Sequence, residues 1–194
     1  MKAFLDSRQI EHDPKYFMRS GAIAPNPEQP KRVEILSAGA KNAGCVFAEP
    51  TDMGISHIAK IHSPQYLTFL ENIHERWSRI PGGGEEVVPN IHPRAREDGY
   101  PRSAVGQAGY HQADTACPIA EHTWKSAYWS AQSALNGADF IVKGGQNAYA
   151  LSRPPGHHAY ADQAGGFCFL NNSAIAAEYL LANGFRPTIL DVDV

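Results

Sequence analysis

The sequence is poor in cysteine, in charge of one sign and in long apolar runs, and each shortage narrows what the protein can be. Its three cysteines, Cys45, Cys117 and Cys168, are an odd number at wide spacing with no CxxC pair. That pattern argues against a disulfide framework or a structural zinc knot, and predicts a reducing, cytoplasmic setting with each thiol used for packing. Charge is nearly balanced, 17 Lys and Arg against 20 Asp and Glu, for a net charge of −3. No basic field exists to track nucleic-acid phosphates or an anionic membrane, so neither partner is expected, whereas a small cationic substrate is permitted. No apolar run approaches the ~18 residues of a membrane span, and the opening MKAFLDSRQIEHD has no signal-peptide core. Repeats and low-complexity tracts are also missing.

What is present is a chain of 194 residues, 43% hydrophobic, enough for one domain with a real core. Helical stripes alternate with short apolar runs, the order of a parallel α/β sheet. Ala3-Phe4-Leu5 reads as a first strand. Pro30 opens a helix carrying Val33, Leu36, Ala40 and Ala43, and Gly44 stops it. Ser63-Pro64 opens another, whose apolar face is Tyr66, Leu70, Ile73 and Trp77. From about residue 81 to 121 the periodicity breaks into PGGGEE, VVPNIHPRARED and DGYPRS, a long insertion of the kind that is functional or disordered. PGGGEE lacks the GK[ST] ending of a phosphate loop and is expected to be a flexible connection. Thr123 is expected to cap a helix striped by Trp124, Ala127, Tyr128, Ala131, Ala134, Leu135 and Ala138. A buried strand follows at Ala148–Ser152, then a helix capped by Asn172 and closed at Asn183-Gly184. The closing TILDVDV reads as a strand.

Three segments carry chemistry. Asp191 and Asp193 stand at i and i+2, which places both carboxylates on one side of that last strand, about 7 Å apart. Such a pair calls for a cation or a protonated base beside it. It falls at a strand's carboxyl end, where open parallel sheets bind ligands. In RPPGHHA, two prolines stiffen the exit from a strand and Gly156 permits a sharp turn, so His157 and His158 are delivered to the same edge. Adjacent histidines suit a division of labour, one held by a carboxylate and the other acting as general base and then acid; both binding one metal is the alternative. In GGFCFLNN the glycines permit close approach of backbone to a ligand, and Phe167 can wall a narrow channel. A nucleophilic Cys168 paired with His157 is the weaker reading, because a buried cysteine is the common case.

RPPGHHA, GGFCFLNN and ILDVDV, in this order, resemble the histone deacetylase and acetylpolyamine amidohydrolase family of the arginase-deacetylase fold. The resemblance extends through KIHSPQYLTFLE, GQAGYH and TWKSAYWSAQSALNGAD, and so along nearly the whole chain. It implies a three-layer α/β/α fold with a mainly parallel sheet, of which residues 1–194 are the N-terminal part of a single deacetylase domain. It implies a zinc-dependent hydrolase of acetyl-amide bonds on amines or on acetyl-lysine. His157 would be polarised by Asp191, His158 would be the general base and acid, and Asp193 a zinc ligand. The Gly166 carbonyl would accept from the scissile amide N–H, and Phe167 would line the acyl tunnel. Asp191 and Asp193 would also help hold a structural potassium ion. The family places a histidine ligand directly after DVDV, then a further aspartate and a tyrosine, so these residues alone are expected not to be competent. A truncated remnant serving as a binding or oligomerisation module is the rival reading, and a manganese ureohydrolase on the same fold is disfavoured by RPPGHHA. Relatives that prefer polyamines carry an acid just before GQ, where this chain has Val105; Glu97 or Asp98 are candidate substitutes. The segment 81–121 is expected to pair subunits and narrow the tunnel.

Overall fold

The computed structural model describes residues 1–94, 96 and 99–193. Strand β1 (Lys2–Phe4) is followed by a hairpin, β2 (Tyr16–Arg19) and β3 (Ala22–Pro25), then by α1 (Lys31–Asn42) and β4 (Val46–Ala48). Next come α2 (Pro64–Trp77), α3 (Ala104–His111), α4 (Thr123–Val142), β5 (Ala148–Ala150) and α5 (Asn172–Ala182). The main sheet has the order β4-β1-β5 and is parallel throughout, with Ala3 opposite both Phe47 and Tyr149. Parallel neighbours need long crossovers, and helices supply them here. The fold is therefore the α/β class with a parallel sheet that the alternating pattern predicts.

Tyr66, Leu70, Ile73 and Trp77 bury the apolar face of α2, which starts where Ser63 accepts the Tyr66 N–H at 3.2 Å. Helix α4 runs against β1, β5 and α5. Its alanine stripe is in the core, but Ser126, Ser130, Ser133, Gln132 and Asn136 are buried as well. Those polar side chains serve backbone elsewhere: Ser126 donates to the Arg8 carbonyl at 2.7 Å and Ser130 to the Pro154 carbonyl at 2.9 Å. Asn136 binds both the N–H and the carbonyl of Thr51. In this way one helix fixes three other segments of the chain around itself.

Several expectations are corrected. Thr123 is the first helical residue and not the cap; its hydroxyl reaches back to accept the Ala120 N–H at 2.9 Å. Asn171, not Asn172, caps α5, accepting the Ala174 N–H at 3.0 Å. The 81–121 segment contains α3, capped by Ser103 and anchored by buried Gln107, Ala108 and His111. Leu36 on α1 is exposed rather than part of a buried stripe, at the mouth of an open cleft beside β5. Residues 188–193 form no strand, because among the described residues no ladder partner lies beside them; Leu190 and Val192 are exposed. Glu97 and Asp98 lie outside the described residues.

Buried histidines make stability depend on pH, and two of them, His12 and His62, carry the largest shifts. The His12 ring lies 2.9 Å from the Thr123 hydroxyl, and burial, then the nearby Arg153 charge, push its pKa down to about 3. The His62 Nε2 accepts the Asn171 N–H at 2.9 Å, and burial pushes that ring down to about 4. An unfolded histidine titrates near 6.5, so the unfolded chain binds more protons below that pH. Their contribution is complete above pH ~6.5 and is lost as pH falls toward 4 and then 3, at up to roughly 1.4 kcal/mol per pH unit for each ring. Urea midpoints should fall steadily from pH 6.5 to 4; a flat profile would refute this.

Candidate active site

The chain leaves β5 through Leu151 and Ser152 into a turn that has little freedom. A Cβ on Gly156 would lie 2.3 Å from the Leu170 carbonyl oxygen and 2.5 Å from the Asn172 nitrogen, so only glycine lets the turn seat against the start of α5. Asn172 donates to the Ser130 hydroxyl at 3.0 Å, which itself holds the Pro154 carbonyl. The turn delivers His157 and His158 with ring centroids 4.2 Å apart and planes at 68°.

Asp191 and Asp193 meet those rings, though not from a shared strand face. The His157 Nδ1 is 3.3 Å from an Asp191 carboxylate oxygen, and its Nε2 is 3.3 Å from one of Asp193. One imidazole thus stands between two carboxylates, and the side chain of His157 is only 27% exposed. The Asp193 N–H donates to Asp191 at 3.1 Å; this bond, with the adjacent histidines, holds the Asp191 carboxyl below its ordinary range. The adjacency that sequence spacing makes awkward for joint action is achieved: His157, His158 and Asp193 each offer a ligand atom, all within 4.8 Å of one another. Two nitrogens and one carboxylate oxygen suit zinc.

The third segment closes over the second histidine. The Gly165 and Cys168 backbones bond each other in both directions, at 3.1 and 2.8 Å, which turns the chain sharply. Gly166 and Phe167 both take positive φ, 52° and 67°. For phenylalanine that conformation is strained and needs outside support. Asp114 supplies some of it by accepting the Gly166 N–H at 2.9 Å, and the Phe167 ring leans on Phe17 of the hairpin, centroids 5.5 Å apart. A Cβ on Gly166 would sit 2.5 Å from His158 Cδ2, so this backbone lies directly on the imidazole. Cys168 is buried, and burial pushes its thiol up to about 12, which removes it as a nucleophile.

Every residue singled out in the three segments therefore falls in one neighbourhood or supports it. Sequence reading missed Phe17 and Asp114. The hairpin had a local signal, Ser20-Gly21 between YFMR and AIAP, whereas nothing adjacent to Asp114 announces a contact with Gly166, 52 residues away.

Known proteins resemble this chain along most of its length. A family model described as the histone deacetylase domain matches residues 26–194. An acetylpolyamine amidohydrolase of Burkholderia pseudomallei (strain 1710b) is 45% identical over 195 residues, covering 100% of this chain and 57% of the relative. The acetylpolyamine amidohydrolase of Mycoplana ramosa is 39% identical, covering 89% of this chain and 51% of its own length. A crystal structure of acetylpolyamine aminohydrolase from Burkholderia pseudomallei superposes with a TM-score of 0.91 at 45% identity, over 94% of this chain and 53% of that one. The chain spans about half the length of the curated relatives it matches.

Proposed function

The chain belongs to the histone deacetylase domain family, and from that premise we propose that the whole protein is a zinc-dependent hydrolase of acetyl-amide bonds on amines, releasing acetate and a free amine. The observation that carries the reading is the placement of His157 between Asp191 and Asp193, with His158 beside it under the Gly166 backbone. Of the three clustered side chains Asp193 would be the one that holds the zinc, which leaves both imidazoles for the proton and charge roles. Zinc when bound supplies Lewis acidity toward the acetyl carbonyl and the attacking water. His158 takes a proton from that water at its imidazole and returns it to the leaving nitrogen as the C–N bond breaks. His157, kept between carboxylates, balances the negative charge that develops on the carbonyl oxygen. The Gly166 carbonyl accepts from the amide N–H, and Phe167 with its neighbour Phe17 forms a wall that excludes water from the acyl chain.

The reading includes a structural potassium ion near Asp191 and Asp193, a cytoplasmic setting in keeping with three unpaired thiols, and a homodimer paired through the 81–121 segment. Among the described residues no helix is long and apolar enough to cross a membrane.

Substrate choice is the direct test. Val105 is partly buried against the core and offers no anion to a distal ammonium. Zinc-loaded whole protein should release acetate from acetylputrescine, acetylspermine and an acetyl-lysine peptide with kcat/KM values that differ modestly, within about tenfold, which is 1.4 kcal/mol. A strong preference for the long polyamine that disappears when Val105 is changed would refute the assignment of this position. Absence of acetate release from all three would refute the hydrolase reading itself.

A further inference from the structure

A buried ion pair lies behind the histidine turn, outside the residues assigned so far. Arg153 is 2% exposed and Glu28 5% exposed. The Arg153 Nε is 2.8 Å from a Glu28 carboxylate oxygen, although the N–H is not aimed along that line and the contact is an ion pair more than an aligned hydrogen bond. The rest of the fork is well directed: Nη1 donates to the Gln9 carbonyl at 2.7 Å and Nη2 to the Glu28 carbonyl at 2.9 Å. The Arg153 backbone N–H donates to the Gln9 side chain at 2.8 Å, and Gln9 in turn donates to Ser133 of α4. Glu28 is itself fixed, its N–H bonded to Asn26 and its second oxygen 2.8 Å from Arg32.

As a stabiliser such a pair is poor, since taking two charges out of water offsets much of their attraction. Burial pushes the Glu28 carboxyl up and draws the Arg153 guanidinium down, the direction desolvation dictates. What the pair supplies is direction. A planar guanidinium held at three points cannot rotate, and the next two residues, Pro154 and Pro155, have nearly fixed φ. The orientation set at Arg153 is therefore carried almost rigidly to Gly156 and His157.

We propose that Glu28 and Arg153 are positioning residues that set where His157 and His158 stand relative to Asp191 and Asp193. The inference rests on the catalytic reading of those histidines, and the experiment separates the two. In zinc-loaded whole protein, Arg153→Lys keeps the charge but removes the fork. It should lower kcat for an acetylated amine about 10- to 50-fold with KM within about threefold, as displaced supporting groups do. The His157 and His158 ring 15N shifts at fixed pH should move together with it. Glu28→Gln, which keeps shape, should give the same signature at smaller amplitude, and it decides the matter if Arg153→Lys does not fold. A purely structural role predicts lower thermal stability with unchanged kcat and unchanged ring shifts in the folded protein, and that result overturns the proposal. Should wild-type protein prove inert, the hydrolase reading fails, and the ring shifts alone still decide whether Arg153 positions the pair.

Discussion

His158→Ala in the zinc-loaded whole protein is expected to lower kcat by about 10²- to 10⁴-fold, the range that removing a general acid-base group gives. His158 stands in van der Waals reach of the Gly166 backbone and beside the His157 ring, the neighbourhood to which the proposed reading assigns proton transfer. Because Asp193 is the assigned ligand, zinc measured by metal analysis should stay stoichiometric, and KM should change little. Turnover close to wild type would remove His158 from the proton-transfer role. Loss of zinc in step with loss of turnover would make it a ligand instead.

Gly166→Ala should be nearly as damaging although it adds one methyl group. Its Cβ would meet His158 Cδ2 at 2.5 Å and Cγ at 2.9 Å, inside any tolerated contact. The backbone there has φ 52°, so the alanine would be strained even in open space. Relief requires displacing either the imidazole or the carbonyl proposed to accept the substrate N–H, and a shift near 1 Å costs about 10²-fold in rate. A kcat at least 100-fold below wild type, with folding preserved by circular dichroism, is the expected result. A variant within threefold of wild type would show that the turn has slack the geometry does not suggest.

The sequence and the structure part company in an instructive way. Stripes on α2 and α4 and the apolar strands were legible because each is a local periodicity that burial enforces, and Tyr66, Ile73, Ala131 and Leu135 are all in the core. RPPGHHA and GGFCFLNN were legible because glycine and proline mark special backbone: Gly156 has no room for a Cβ and Gly166 takes positive φ, whereas nothing in the sequence marked the positive φ of Phe167. The cap positions were off by one residue, as helix ends commonly are when two polar candidates adjoin, here His122-Thr123 and Asn171-Asn172. α3 was hidden because glycines at 106 and 109 dilute its apolar face. The DVDV segment was misjudged for a different reason. Its alternation is a strand's, but a strand exists only with a neighbour, and residues 188–193 have none among the described residues. Long-range supports such as Asp114 to Gly166 and Glu28 to Arg153 leave no periodic trace at all.

The pairing of Ala3 with Tyr149 has a consequence for the life of the chain before it folds. At a synthesis rate of ~5–20 residues per second, β1 is made roughly 7–30 s before β5. Its partner on the other side, β4, is complete at Ala48, so one edge can be covered early while the other stays bare for the ~100 further residues that precede β5. Nascent β1–β4 is thus an exposed parallel edge during the interval when a chaperone would first meet it. Arrested chains ending before residue 148 should bind holdases that chains reaching α5 release.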